Sequence, residues 1–179
     1  MIEIERKFRL SQEKKAQILN SLETQGADLT PIHQIDQVFL HGIESFKEFK
    51  PGMPVVRLRT VNEKTTLTYK RAINDAGDSL EHETDVDSAQ VMQSILEEMG
   101  YKQVTLVDKT RIEIKKDELT VVVDNVARLG DFLELEILAE EADSGDAEER
   151  ILSAAAEYGL TRDDVETKKY DQLLSSLPA

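Results

Sequence analysis

The chain of 179 residues has no cysteine and no tryptophan. The first absence excludes disulfides, thiolate metal sites and a cysteine nucleophile. Three scattered histidines are too few for a histidine-rich metal centre. With four prolines and eight glycines, collagen-like, linker-like and disordered character are also excluded. Apolar runs stay short, as in Leu119-Thr120-Val121-Val122-Val123, so no segment is expected to span a bilayer and no membrane partner is expected. Met1-Ile2-Glu3-Ile4-Glu5 has no basic segment leading into an apolar one, so no signal peptide is expected and the location is read as cytoplasmic. Basic residues are outnumbered, 22 against 36 acidic, for a net charge of −14. That balance argues against a general nucleic-acid binder, which needs a positive surface to neutralise phosphates.

What remains is ample for a core: 40% of residues are hydrophobic and 32% charged. The length suits one domain spanning 1–179. Ser11 is placed to cap a helix carrying Ile18, Leu19 and Leu22, closed by Gly26. Asp87 or Ser88 opens a second, with Val91, Met92, Ile95, Leu96 and Met99 at helical spacing before Gly100. Asp146 and Glu149 have capping-box spacing ahead of Ile151, Leu152, Ala155 and Tyr158, with Gly159 as the stop. A short final helix carries Tyr170, Leu173, Leu174 and Leu177. Between them the period falls to two, predicting strands at 2–9, 36–41, 55–61, 65–71, 80–86, 105–115, 119–126 and 132–139. Turns are expected at Asn62-Glu63-Lys64, Asn74-Asp75-Ala76-Gly77-Asp78 and Lys116-Asp117-Glu118, and a longer mobile loop over 42–54. The fold class is α+β, strand-rich and mostly antiparallel.

The charges on these strands are not interspersed. Residues i and i+2 share a strand face, so Glu3 and Glu5 lie together with Lys7, as do Glu81 with Glu83 and Glu134 with Glu136. Arg57 and Arg59 form a basic pair, Lys109 and Arg111 another, and Lys70 joins the Thr66/Thr68 side. Asp124 follows Val122 on one face. Like charges side by side repel, and become favourable when an opposite multivalent charge sits between them. Paired carboxylates suit Mg²⁺ or Mn²⁺, and Arg and Lys pairs suit phosphates. Strands curled with these faces inward would make a barrel with an ionic, water-filled lumen, its apolar outside covered by the amphipathic helices. The matching ligand is a metal-bound polyphosphate. Three times a strand with two glutamates precedes a helix and a glycine, which suggests internal pseudo-symmetry.

Glu3-Ile4-Glu5-Arg6-Lys7-Phe8 resembles the E-x-E-x-K signature of the CYTH superfamily. Val56-Arg57-Leu58-Arg59, Leu67-Thr68-Tyr69-Lys70, Glu81-His82-Glu83, Lys109-Thr110-Arg111, Asp124 with Gly130–Glu136, and Lys169-Tyr170-Asp171-Gln172-Leu173-Leu174 resemble its later motifs in order. The resemblance covers nearly the whole chain. It implies an eight-stranded antiparallel triphosphate tunnel with helices on its outer face, a triphosphate substrate, and a homodimer. It assigns Arg57, Arg59, Lys70, Lys109 and Arg111 to the triphosphate. Glu3, Glu5, Glu81, Glu83, Asp124, Glu134 and Glu136 become carboxylates for Mg²⁺ or Mn²⁺, and Lys7 and Lys70 the catalytic lysines. The implied reaction is that of a class IV adenylyl cyclase, ATP to cyclic AMP and pyrophosphate. The alternatives are a triphosphatase acting on inorganic, thiamine or nucleoside triphosphates, and a non-catalytic polyphosphate-binding module. Gln37-Val38-Phe39-Leu40-His41 departs from the D-x-Y-x-D pattern of cyclase-like members, and Lys169 stands where a serine is common.

Overall fold

The computed structural model describes residues 2–50, 52–72, 79–140 and 143–177. Its elements run β1 (Ile2–Leu10), α1 (Gln12–Thr24), β2 (Ile32–His41), β3 (Pro54–Val61), β4 (Lys64–Ala72), β5 (Ser79–Val86), α2 (Ala89–Glu98), β6 (Tyr101–Lys116), β7 (Leu119–Val126), β8 (Gly130–Ala139), α3 (Ser144–Glu157), β9 (Val165–Glu166) and α4 (Tyr170–Ser175). The strands are ordered β5-β4-β3-β2-β6-β7-β8-β1, all antiparallel, and Glu3 of β1 pairs back with Ser79 of β5 to close eight strands into a barrel. Farther along the same edge of β1, β9 pairs at Lys7 and Phe8.

Local chemistry sets the hairpins. Val61 pairs with Lys64 across Asn62-Glu63, and Lys116 with Leu119 across Asp117-Glu118. Asn62 and Asp117 both adopt φ 55°, a left-handed conformation that short polar side chains tolerate. The turn expected at Asn74–Asp78 lies outside the described residues. Ser11 Oγ accepts from the Lys14 N–H at 3.1 Å and Ser88 Oγ from the Val91 N–H at 3.3 Å, capping α1 and α2. The third helix starts earlier than its spacing suggested. Asp143 stands at its N-cap without a side-chain cap bond, and Glu148 and Glu149 each accept from Arg162 at 2.8 Å.

The apolar strand faces point outward and are covered. Ile18 and Leu22 of α1, with Ala147, Ile151 and Ala155 of α3, pack on Ile4, Phe8, Val121, Val123, Leu133 and Leu135 of β1, β7 and β8. On the opposite side Leu96 of α2 packs on Phe39, Val56 and Leu58. The fourth helix differs: Tyr170 and Leu174 pack on Val38, Val107, Val126 and Phe132 and on Phe46 and Val55, stoppering part of the barrel. Among the described residues no helix is long and apolar enough to cross a membrane.

The second strand begins four residues before the expected 36, and its inward face is the even one: Asp36 and Val38 line the lumen. Gln37, Phe39 and His41, the departures from the cyclase-like pattern, face out. Gln37 Nε2 donates to Gln93 and Gln103 at 2.9 and 3.1 Å, Phe39 lies under α2, and His41 meets Tyr101 edge-on at 5.1 Å. They say nothing about lumen chemistry. The loop expected over 42–54 holds a 3-10 turn, Phe46–Glu48.

Ile151 is wholly buried beneath α3. Ile151→Ala is expected to cost about 2–5 kcal/mol of stability through lost burial and the cavity left behind, read as a fall in the urea midpoint. An unchanged midpoint would mean that α3 does not cover the barrel.

Candidate active site

Closing the barrel sorts its charges. The three strands with paired glutamates become neighbours, β8 beside β1 and β1 beside β5, so their carboxylates form one wall. Arg57 and Arg59 of β3, Lys70 of β4, and Lys109 and Arg111 of β6 come round the other way. A cavity of about 310 Å³ runs between them. It is lined by Glu3, Glu5, Lys7, Arg57, Arg59, Lys70, Glu81, Glu83, Lys109, Arg111, Glu134 and Glu136, twelve of the thirteen residues expected there.

The thirteenth, Asp124, is buried behind the lining at 0% exposure. Arg111 grips it with two bonds, Nε to Oδ1 at 2.8 Å and Nη2 to Oδ2 at 2.7 Å. Lys109 Nζ reaches Oδ2 at 3.1 Å, and the Tyr170 hydroxyl donates to the same oxygen at 3.1 Å. Both carboxylate oxygens are thus committed, and Asp124 holds the basic pair in place rather than facing the cavity. Tyr170 combines packing with this bond and lies under two ammonium groups, Lys7 at 4.5 Å and Lys109 at 5.1 Å from its ring centre.

Asp36 plays the same part for β3, and the sequence pattern missed it. Arg59 donates to it twice, at 2.8 and 2.9 Å, and Arg57 lies at 4.0 Å. Burial pushes its carboxyl up, but the bonds from Arg59 and the charges of Arg57, Arg59 and Lys109 outweigh this and hold it well below the usual range. Its signal was a lone acid two residues before Val38, placed on one face only once the strand's register was known. Lys169, Asp171, Gln172 and Glu113 also line the cavity, and Lys169 Nζ meets Glu5 at 3.0 Å.

Most charges find partners. Lys70 bridges Glu3, at 2.8 Å, and Glu81. Lys7 lies 3.2 Å from both Glu5 and Glu134, and Arg111 Nη2 is 2.6 Å from Glu134. Thr68 donates to Glu83 at 2.7 Å, which Arg57 approaches at 3.4 Å. The remainder is unbalanced in both senses. Glu136 has no ion-pair partner among the described residues, and burial beside Glu134, Glu3 and Glu5 raises its pKa to about 8. Across the lumen, burial and the Arg111 charge lower Lys109 to about 8. The Nε of Arg57 is buried without an acceptor among the described residues. One wall keeps a carboxyl without a cation among the described residues, and the other a guanidinium N–H without an acceptor among them.

An uncompensated carboxylate among glutamates is the donor chemistry of a hard divalent ion, so these residues fit Mg²⁺ or Mn²⁺. As placed, no three carboxylate or imidazole groups among the described residues converge to coordination distance. His33, hydrogen-bonded to Asp108 at 2.7 Å, and His82, stacked on Tyr69, lie outside the lumen and exposed.

Removing Asp36 tests the positioning. Asp36→Asn is expected to cost about 3 kcal/mol at pH 7 by leaving the Arg59 charge half-buried and unpaired. The folded-state pKa is depressed, so this stabilisation is complete above the unfolded carboxyl value of about 4 and is lost as the pH falls below it. Urea midpoints of parent and variant should therefore converge in acid; a gap independent of pH would place Asp36 outside the ionic network.

Comparison with known proteins agrees with this geometry. The family model described as CYTH domain matches residues 1–170. A protein of Methanocaldococcus jannaschii named "Putative adenylate cyclase MJ0240" is 24% identical over 176 residues, 97% of this chain and 98% of its own. The PH1012 protein of Pyrococcus horikoshii OT3 superposes with a TM-score of 0.80 at 27% identity, over 96% of this chain and 98% of that one. HpAC1 from Hippeastrum, reported to have a dominant triphosphatase activity, shares the fold at a TM-score of 0.62 and 15% identity, over 97% and 93% of the two chains. Members of the family are enzymes that act on triphosphates with divalent metals. With a tunnel of opposed acidic and basic walls and a family match along nearly its full length, the chain belongs to the CYTH domain family.

Proposed function

We propose that the tunnel binds ATP with Mg²⁺ or Mn²⁺ and converts it to cyclic AMP and pyrophosphate. The observation that carries this is that one cavity joins three surfaces: a basic wall, an unsatisfied acidic wall and an apolar rim. The rim is made by Phe46, Phe49, Met53 and Val55, with the two phenylalanine rings 5.5 Å apart. Inorganic triphosphate has nothing to offer such a rim, whereas a nucleobase does.

In this assignment Arg57, Arg59, Lys70, Lys109 and Arg111 grip the triphosphate. The Arg57 Nε gains an acceptor and the lowered Lys109 gains an anion. Glu3, Glu5, Glu81, Glu83, Glu134 and Glu136 serve the divalent ions, with Asp124 and Asp36 fixing the arginines from behind. The bound metal would neutralise phosphate charge and lower the pKa of the nucleophile. Lys7 and Lys70, each already bridging two carboxylates, lie where they can contact a phosphate and stabilise charge on it. Cyclisation needs the ribose held beside the α-phosphorus, with the 3′-hydroxyl as nucleophile and pyrophosphate as leaving group. Holding the base at the rim while the basic wall holds the phosphates provides that restraint.

Hydrolysis is the second reading, favoured by the triphosphatase activity reported for HpAC1. Product analysis decides between them. Incubation with Mn²⁺ and, separately, ATP, thiamine triphosphate and inorganic triphosphate is expected to yield cyclic AMP and pyrophosphate from ATP. Orthophosphate without cyclic AMP would establish the triphosphatase instead, and intact ligands a binding module.

Two variants test the walls. Arg57→Ala removes a charge-assisted contact and is expected to weaken triphosphate binding by about one to two decades in Kd, measured by calorimetry. Arg111→Ala is a poorer probe, because it also removes a cation shared by Asp124 and Glu134, leaving them to Lys109 and Lys7. Above about pH 5, Glu136→Gln is expected to raise the melting temperature of the metal-free protein, because a carboxyl whose pKa is raised to about 8 by burial and neighbouring glutamates destabilises the fold wherever it is ionised in the unfolded chain, and to raise the Mn²⁺ needed for half-maximal activity. An unchanged melting temperature and metal requirement would place Glu136 outside the metal site.

A further inference from the structure

The start of α4 lines the cavity and contacts residues of both walls. Lys169 Nζ meets Glu5 on the acidic wall, and the Tyr170 hydroxyl meets Asp124 behind the basic one. A few residues later Leu173 and Leu174 pack in the same cluster as Phe46 of the rim. Asp171 and Gln172 lie between these anchors, and both line the cavity. Gln172 is already engaged, its Oε1 accepting from the Lys169 N–H at 3.0 Å. Asp171 is not: one oxygen accepts from the Gln172 N–H at 2.7 Å, and no lysine or arginine among the described residues pairs with it. A cavity-lining carboxylate with acceptor capacity to spare therefore lies on the stretch of chain that runs from the charged walls to the cluster holding Phe46 of the rim.

The chemistry of its surroundings narrows what it can take. A phosphate is repelled by a carboxylate. A divalent cation is better served by the glutamate wall, where Glu136 has no ion-pair partner among the described residues and is crowded by Glu134, Glu3 and Glu5. A neutral hydroxyl donor has neither difficulty and can bond the carboxyl oxygen that Gln172 leaves free; burial raises the Asp171 carboxyl against the lowering charges of Lys7, Lys169 and Lys70. In an organic triphosphate the group between phosphates and base is the sugar. We infer that Asp171 accepts a hydrogen bond from a ribose hydroxyl and thereby sets a preference for ribonucleoside triphosphates over inorganic triphosphate and deoxynucleotides.

This rests on the nucleotide reading of the tunnel, and the experiment separates the two. Calorimetry with Ca²⁺ in place of Mg²⁺, to slow turnover, gives Kd for ATP, 2′-deoxy-ATP and inorganic triphosphate, with melting temperatures confirming that each variant is folded. Asp171→Ala is expected to lower the affinity ratio of ATP to inorganic triphosphate about tenfold. Parent protein should favour ATP over 2′-deoxy-ATP by a similar factor, the alanine variant should be indifferent, and Asp171→Asn, which keeps an acceptor, should recover part of the preference. Equal weakening for all three ligands, or no change in the ratio, would overturn the role of Asp171 while leaving ATP as ligand. Tight binding of inorganic triphosphate with no binding of ATP by the parent would overturn the nucleotide reading, and this inference with it.

Discussion

The barrel must hold a dense set of ionised side chains in its interior without leaving any of them uncompensated at ruinous cost. An isolated buried charge is destabilising by several kcal/mol even after relaxation (roughly, as an effective penalty). Here the solution is pairing across strands: Lys70 with Glu3 and Glu81, Lys7 with Glu5 and Glu134, Arg111 with Asp124 and Glu134, Arg59 with Asp36. What the pairing leaves over is divided by location: Glu136, its pKa raised to about 8, has no ion-pair partner among the described residues, while Lys109 is lowered to about 8 and the Arg57 Nε has no acceptor among them. A ligand that is itself an ion pair, phosphates with their metal, satisfies both at once.

Everything outside the lumen follows from having turned the charges in. The outward strand faces are apolar and require cover, which α1 and α3 supply over β1, β7 and β8 and α2 supplies over β2 and β3. Each of these helices follows an acidic strand and ends near a glycine with positive φ: Gly26 at 81°, Gly100 at 88° and Gly159 at 70°. The threefold pattern of paired glutamates, helix and glycine is thus a pattern of construction. Its acidic strands β8, β1 and β5 lie side by side, and this adjacency makes a wall out of three separate pairs.

The fourth helix breaks the scheme by entering the barrel. It brings Tyr170 beneath Lys7 and Lys109, Lys169 to Glu5, and Leu174 onto lumen-side valines. Besides contributing Asp171 and Gln172 to the lining, it packs against Phe46 and Val55, so that one cavity presents both charged and apolar surfaces to a ligand. An overall charge of −14 is no obstacle to an anionic ligand, because the field that acts on it is the local one of the basic wall.

Local patterning was enough to identify the paired charges, the strands carrying them and the helices that cover them, because side-chain periodicity and capping are local properties. Glu3 with Glu5, Arg57 with Arg59 and Lys109 with Arg111 share faces whatever the fold. Register and closure are not local. A one-residue shift along β2 exchanges its two faces, so Asp36 looked incidental while Gln37, Phe39 and His41 looked like losses from a site that they never face. Asp124 likewise reads as one more acid in sequence, and only the approach of β6 and α4 commits its oxygens to Arg111, Lys109 and Tyr170. Residue types and their alternation determined which charges must be gathered; the pairing of distant strands decided which of them face the ligand and which hold the others in place.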